Sequence, residues 1–378
     1  MTFRSLVSHA VAALACLVAF APAAFAFEAT SPDARSALLV AQNESPSSAH
    51  PAVALEKVRL AYGVRVIGPD GAAYTSVPKQ EKFWEKEGLA VDIQSLDTGP
   101  AFQLLAQGKL DFLIAGSGSG LPLVESGAPI KAVAAGYKVN IFYPAVLPDS
   151  EITSLKQIKG KTVGLFTPAG SAVVMLDAVL HQYGLTRKDL KGVVTVGTGA
   201  SAVNALKTKQ IDIYFGYQGA YNTIEASTDV RFRRFSNDPL FIQTAFASPG
   251  VWTRTALIDT NKKMIVGFLR GVNAGIAFSK KDPVAAIKDH FALYPQTKPP
   301  GSEEDAIKDG VKSLVNNLST YNDPFGLVPM PNVEATAKIM QTAGVLKSVS
   351  PASRYYTDEF VEAGLQFDAK AVQKALSK

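Results

Sequence analysis

Four short stretches of the chain combine glycine with hydroxyl side chains: Thr98-Gly99-Pro100, Ser117-Gly118-Ser119-Gly120, Thr167-Pro168-Ala169-Gly170-Ser171 and Thr198-Gly199-Ala200-Ser201. Each joins a strand-like apolar run to a helix-like one. Hydroxyls in that place cap the first turn of a helix, and proline suits its first position. Taken singly, each loop is accounted for by capping. Taken together around one gap, they offer backbone N–H groups, hydroxyls and the positive ends of helix dipoles, a chemistry that holds an anion or a polar head group. Tyr62, Tyr74 and Tyr217 sit beside the same points, where a phenol can stack on a planar ligand, donate a hydrogen bond, or pack as an ordinary loop aromatic.

Other chemistries fail on spacing. Gly116, Gly118 and Gly120 do not complete a dinucleotide fingerprint, whose third glycine lies further on and whose acid follows the next strand; Glu125 comes too early. Gly160-Lys161-Thr162 lacks the earlier glycine of a phosphate loop and leads into a strand-like run. Of the histidines His9, His50, His181 and His290, the last two fall inside helical runs, with no His or Cys at metal-ligand spacing. Gly116-Ser117-Gly118 is one residue short of a nucleophile elbow, although a Ser-His-Asp arrangement built in space remains open. No cofactor and no metal is expected. Arg65, Lys138 and Arg254 are the cations that could reach a cleft as counter-charge, the alternative for each being a solvated surface side chain.

Such turns need a scaffold. Apolar runs at 58–62, 90–93, 112–115, 131–135, 162–166 and 211–215 predict strands, and helical periodicity at 79–87, 102–107, 173–183 and 202–207 falls between them. That alternation is the pattern of an α/β fold with largely parallel sheets, in which a ligand lies beyond the carboxyl ends of the strands. Residues 105–112 and 206–213 repeat one theme, a helix end, a polar turn and an Asp opening a strand, which suggests two similar lobes. After Ser248 come a strand at 251–253 and helices at 262–279, 284–292, 303–317 and 333–342, a tail that packs on a lobe built earlier.

With 378 residues the chain exceeds what one core usually supports, and its +5 charge is scattered, so nucleic acid is not an implied partner. Arg4, the apolar stretch 10–20 and Ala24-Phe25-Ala26 read as a secretory signal peptide, residues 1–26, cleaved near Ala26; a flexible linker follows over 27–54. Cys16, the sole cysteine, leaves with the signal. Leu14-Ala15-Cys16 only faintly resembles a lipoprotein box, so lipidation is the lesser reading. The mature chain then holds no disulfide, and its stability comes from its core.

A longer set of motifs now matches in order: residues 83–91 (FWEKEGLAV), Gly99-Pro100, Leu105 to Phe112 with its Gly-x-x-Asp turn, residues 155–164 (LKQIKGKTVG) and Tyr183-Gly184-Leu185. The chain resembles the branch of ABC-transporter substrate-binding proteins that takes up alkanesulfonate, taurine, nitrate and thiamine pyrimidine precursors. The resemblance implies a periplasmic-binding-protein type II fold, two α/β lobes with a hinge and a central cleft. Lobe I would hold 55–147 and 241–378 and lobe II 148–240, with crossovers near 137–147 and 241–251. It further implies a monomer in the periplasm that captures a small molecule and delivers it to an inner-membrane ABC permease. The contacts would come from Tyr62, Tyr74, Thr98, Gly99, Ser117, Ser119, Thr167, Ser171 and Tyr217. The small-anion reading is placed first, with a sulfonate, taurine, nitrate or aromatic acid as ligand, and a pyrimidine precursor is the alternative. A third reading is catalytic, since fungal relatives of this fold build a pyrimidine by consuming their own histidine; the Cys-rich motif that accompanies it is missing here. The long first loop, 63–76, with Arg65 and Asp70, departs from the family pattern and leaves ligand identity open.

Overall fold

The computed structural model describes residues 54–377; the expected signal peptide, Cys16 and all but the last residue of the expected linker lie outside them. Strands β1 (Glu56–Tyr62), β2 (Leu89–Ser95), β3 (Phe112–Gly116) and β4 (Ile130–Tyr137) begin a first sheet. The chain then builds a second from β5 (Pro144–Val146), β6 (Thr162–Leu165), β7 (Gly192–Thr195), β8 (Ile213–Phe215) and β9 (Arg233–Arg234), and returns to the first with β10 (Pro249–Arg254) and β11 (Tyr321–Gly326). The strand orders are β11-β4-β10-β3-β1-β2 and β7-β6-β8-β5-β9. The main helices are α1 (Thr98–Ala106), α2 (Ser117–Glu125), α3 (Ser171–Gln182), α4 (Ala200–Lys207), α5 (Gln218–Ser227), α6 (Lys262–Lys281), α7 (Pro283–Leu293), α8 (Glu303–Leu318) and α9 (Met330–Thr342). Each sheet with its helices makes one α/β lobe. Among the described residues, no helix is long and apolar enough to cross a membrane.

The sheets are mixed, which corrects the expectation of largely parallel ones. β1 runs parallel with β2 and β3, and β6 with β7 and β8. The strands that follow a passage between sheets run against their neighbours: β10 lies antiparallel between β3 and β4, and β5 antiparallel between β8 and β9. The passages span residues 138–143 and 235–248 and are stapled by buried polar groups. Asn140 Nδ2 donates to Thr244 Oγ1 at 3.0 Å, and Ser248 Oγ donates to the Val139 carbonyl at 3.0 Å while accepting the Ile141 N–H at 2.9 Å.

Packing overrides local propensity in three places. The helix expected at 79–87 breaks into Ser76–Gln80 and Phe83–Lys86, because Lys82 takes a left-handed turn at φ 58°. That turn sends Trp84 onto Phe268 of α6, with rings 5.4 Å apart, and Phe268 onto Phe112 of β3, 4.1 Å apart. The three-ring stack fixes the longest helix on the first sheet, and truncating Phe268 to Ala would cost about 3–5 kcal/mol. In α2, Gly118, Gly120 and Pro122 are poor helix formers, so the sequence shows no helical signal; burial of Leu121 and Val124 holds it helical. The strands β5 and β9 are too short to show a period.

The repeated theme has a physical basis. Asp111 donates its N–H to the Arg59 carbonyl at 2.9 Å and accepts the Arg59 N–H on its carboxylate at 2.9 Å. Asp212 does the same with Thr162, at 2.8 Å each way. In both lobes one aspartate thus registers two parallel strands at their amino ends, opposite the cleft.

Candidate functional site

The carboxyl ends of strands from both sheets meet at one gap, as open α/β sheets require. Its inner chamber encloses a cavity of about 40 Å³ and includes Tyr62, Gly63, Asp70, Thr98, Gly116, Tyr137, Phe142, Phe166, Gly170, Ser171 and Tyr217 in its lining. An outer chamber of about 400 Å³ shares Gly63, Val64, Val66, Thr98, Phe166 and Tyr217 with it and adds Arg65, Asp97, Thr167, Pro168, Thr195, Gly197 and Thr198. The two form one continuous cleft.

Of the nine residues named from sequence, Tyr62, Thr98, Ser171 and Tyr217 line the inner chamber and Thr167 the outer. Thr98 already spends its hydroxyl on the Gly63 carbonyl at 2.7 Å, so it shapes the first loop. Ser171 is buried at the start of α3, where its hydroxyl lies 3.4 Å from that of Ser119. Tyr74, Gly99, Ser117 and Ser119 line neither chamber. Ser117 is wholly buried and accepts the Trp252 indole N–H at 3.2 Å; Tyr74 lies behind Tyr62 and donates its hydroxyl to Tyr137 at 2.9 Å. Gly99 faces open space at the start of α1.

The cations suggested as counter-charges are spent elsewhere. Arg65 makes a bidentate pair with Asp97 at the outer mouth, Nε to Oδ1 and Nη2 to Oδ2 both at 2.9 Å. Arg254 donates to Asp111 at 3.2 Å, at the far end of β10, and Lys138 is exposed and lines neither chamber. His290 is buried between the Ser76 and Thr297 hydroxyls, each 3.2 Å from a ring nitrogen, and burial pushes it down to about 4.

What the chamber does contain is a carboxylate. Asp70 projects from the short turn Pro69–Tyr74, and burial pushes it up to about 6, opposed by its own N–H and that of Gly71. Its charge is felt by the buried phenols of Tyr62 and Tyr137 and the half-buried phenol of Tyr217, themselves pushed up mainly by desolvation. No lysine, arginine or histidine lines the inner chamber, so Asp70 is a desolvated acceptor without a counter-charge. The aromatic walls are ordered around it: Phe142 and Phe166 lie near-parallel, with centroids 6.3 Å apart, and Tyr217 meets Phe166 edge-on at 5.0 Å. Sequence reasoning singled out Asp70 only as a mark of the unusually long first loop, not as a contact, and passed over Tyr137, Phe142 and Phe166 as site residues; the signal available for Asp70 was Pro69-Asp70-Gly71, a charged turn in that loop.

The lobes touch closely where glycine removes a side chain. A methyl on Gly116 would lie 2.2 Å from Ser171 Oγ, and one on Gly219, the second residue of α5, 2.2 Å from Asp70 Oδ2. Ser171 and Asp70 are thus two of the points at which the lobes meet at the cleft.

A family model described as NMT1/THI5 like matches residues 73–286. A protein provisionally named for thiamine biosynthesis in Haemophilus influenzae is 31% identical over 167 residues, a match covering 44% of this chain and 51%, about half, of that protein. A provisionally named binding protein of Brucella abortus is 26% identical over 295 residues, covering 78% of this chain and 88% of its own. Among solved structures, the periplasmic aliphatic sulphonate binding protein SsuA of Escherichia coli superposes with a TM-score of 0.61 at 16% identity, over 79% of this chain and 91% of that one. At that identity the likeness establishes the periplasmic-binding-protein fold.

Proposed function

The chain belongs to the NMT1/THI5 like family, and from that premise we propose that it is a periplasmic solute-binding protein of an ABC importer whose ligand is a planar nitrogen heterocycle of the aminopyrimidine type. The observation that carries this reading is Asp70, a carboxylate without a counter-charge inside an aromatic chamber between two sheets. With its ring nitrogen protonated, an aminopyrimidine presents an exocyclic N–H beside a ring N–H, two donors that meet both oxygens of one carboxylate, and its flat faces suit Phe142, Phe166 and Tyr217. A sulfonate or nitrate in the same chamber would meet the Asp70 charge. At about 4 Å and an effective dielectric of about 20, that repulsion is roughly 4 kcal/mol against the ionised acid, but protonating an acid raised to about 6 caps the penalty at about 1.4 kcal/mol at about pH 7, about tenfold in affinity. A small anion is thus disfavoured in the inner chamber, and in the outer one the one cation, Arg65, is held by Asp97.

In this account the lobe boundaries expected at 147/148 and 240/241 move to the passages: lobe I comprises 55–137 and 249–377, and lobe II comprises 144–234, with β5 in the second sheet between β8 and β9. Ligand bridging Asp70 of one lobe and Phe166 and Tyr217 of the other favours the closed state, and the stapled segments 138–143 and 235–248 serve as hinge. The closed form then docks on an inner-membrane permease as a monomer, with the signal peptide removed near Ala26. Binding without turnover fits the site: the Ser171 hydroxyl has a serine for its neighbour, and no histidine lines either chamber of the described residues.

A thermal-shift screen of 4-aminopyrimidines against taurine, alkanesulfonates, nitrate and aromatic acids tests the assignment. A ligand at a hundred times its Kd adds about 2.7 kcal/mol of stability. A shift with aminopyrimidines is the expected result; a shift confined to sulfonates or nitrate would overturn the ligand class.

A further inference from the structure

Helix α8 lies beyond the segment matched by the family model and yet reaches the turn that carries Asp70, behind the inner chamber. It packs on two partners at once, the turn Pro69–Tyr74 that carries Asp70, and α5 of the other lobe, which begins with Gln218 and Gly219. In its last turn stands Asn317, buried, whose side-chain Nδ2 donates to the main-chain carbonyl of Asp70 at 2.8 Å and to the Tyr321 hydroxyl at 3.0 Å. Tyr321 opens β11, stacks on Tyr74 at 5.2 Å and meets Tyr137 edge-on at 5.1 Å. One amide therefore joins the backbone of the chamber's carboxylate to the aromatic packing beneath it.

We propose that Asn317 is a positioning residue: its amide fixes the 69–74 turn so that the Asp70 carboxylate stays inside the aromatic chamber against Gly219. The proposal deepens the binding reading above and rests on it for the importance of Asp70. Stability alone is a poor explanation for an asparagine here. Its Oδ1 is buried with no hydrogen-bond partner, as is the Ser313 hydroxyl one turn earlier, and a buried polar atom left unpaired is a cost that an apolar side chain of similar volume would avoid. A residue whose donor is used twice and whose acceptor is stranded is placed for what its donor holds.

The groups facing Asp70 make its titration a clean report of its position. They are the phenols of Tyr62, Tyr137, Tyr217 and Tyr321, with no lysine, arginine or histidine in the chamber lining. Loosening the turn changes its contact with water and brings no counter-charge nearer.

The test uses the ligand-free protein. The Asp70 carboxyl carbon is titrated by NMR, assigned by its loss in Asp70→Asn, in the wild type, Asn317→Leu and Asn317→Ala. The expected midpoint near 6 in the wild type falls by about one pH unit or more in both variants, as the carboxylate gains water. Affinity for 4-aminopyrimidine falls about tenfold in parallel. A midpoint in the variants equal to that of the wild type would overturn the proposal. Should Asn317→Leu fail to fold, Asn317→Ala carries the same test. Because the titration needs no ligand, a wild type that binds no heterocycle would sink the ligand class while leaving the role of Asn317 to be decided separately.

Discussion

The two chambers of the cleft differ in almost every property that decides what they hold. The outer one is walled by threonines and glycines at the starts of helices and holds one ion pair, Arg65 with Asp97, closed on itself. The inner one is walled by aromatic rings and holds a single desolvated acid, Asp70. The contrast separates two ways of making a polar site. Helix-start hydroxyls and N–H groups are the ordinary hardware of an α/β fold and discriminate weakly, whereas an isolated, half-buried and desolvated charge costs stability and is retained for what it binds.

The sharpest way to break the contrast is Asp70→Asn. Loss of a charge-assisted pair of hydrogen bonds is expected to weaken aminopyrimidine binding about a hundredfold. The same change should stabilise the ligand-free protein at neutral pH. With Asp70 raised from 3.8 to about 6, the folded state holds a proton that the unfolded state has released between those values. Stability is therefore lost as pH rises through that window, by up to about 3 kcal/mol. His290, lowered from 6.5 to about 4, has the opposite sign: it is neutral when folded, and stability falls as pH drops from 6.5 to 4. The two nearly offset in the wild type, so unfolding followed between pH 6.5 and 4 should be nearly flat there and decline on acidification in Asp70→Asn.

A smaller effect should come from Gly219→Ala. Its methyl would stand 2.2 Å from Asp70 Oδ2, so either the carboxylate moves or the lobes stop short of closure. Alanine is the better helix former by about 1 kcal/mol, so a drop in affinity of about tenfold without loss of stability would place the effect in the cleft. The smallest effects are expected from the outer chamber. Thr167→Ala and Thr198→Ala should each change affinity by less than about threefold, the worth of an exposed neutral hydrogen bond. A larger loss than at Asp70, measured by the same titration calorimetry, would reverse the assignment of the two chambers.

Much of the scaffold is legible in the sequence because burial imposes a period. The runs at 112–115 and 131–135 are strands buried on both faces, and the helices after Lys262 begin and end within a few residues of their periodic stretches. The outer chamber was legible for the same reason, since Thr167 and Thr198 sit where strand-to-helix turns must occur. The inner chamber was not. Asp70 lies in a loop with no period, and Phe142 lies in a passage between sheets; both acquire their role only when chain segments distant in sequence meet. Ser117 shows the converse, a hydroxyl well placed by sequence and consumed by Trp252. Spacing reveals where turns fall, but which turns face the gap depends on the packing of both lobes.

The account depends on Asp70 as the anchor of an uncharged or cationic heterocycle. Isothermal titration of the wild type and Asp70→Asn with 4-aminopyrimidine and with an alkanesulfonate addresses it directly. The prediction is binding of the aminopyrimidine to the wild type, its loss by about a hundredfold in the variant, and weaker binding of the sulfonate to the wild type than to the variant. Tight sulfonate binding to the wild type that Asp70→Asn leaves unchanged would contradict it.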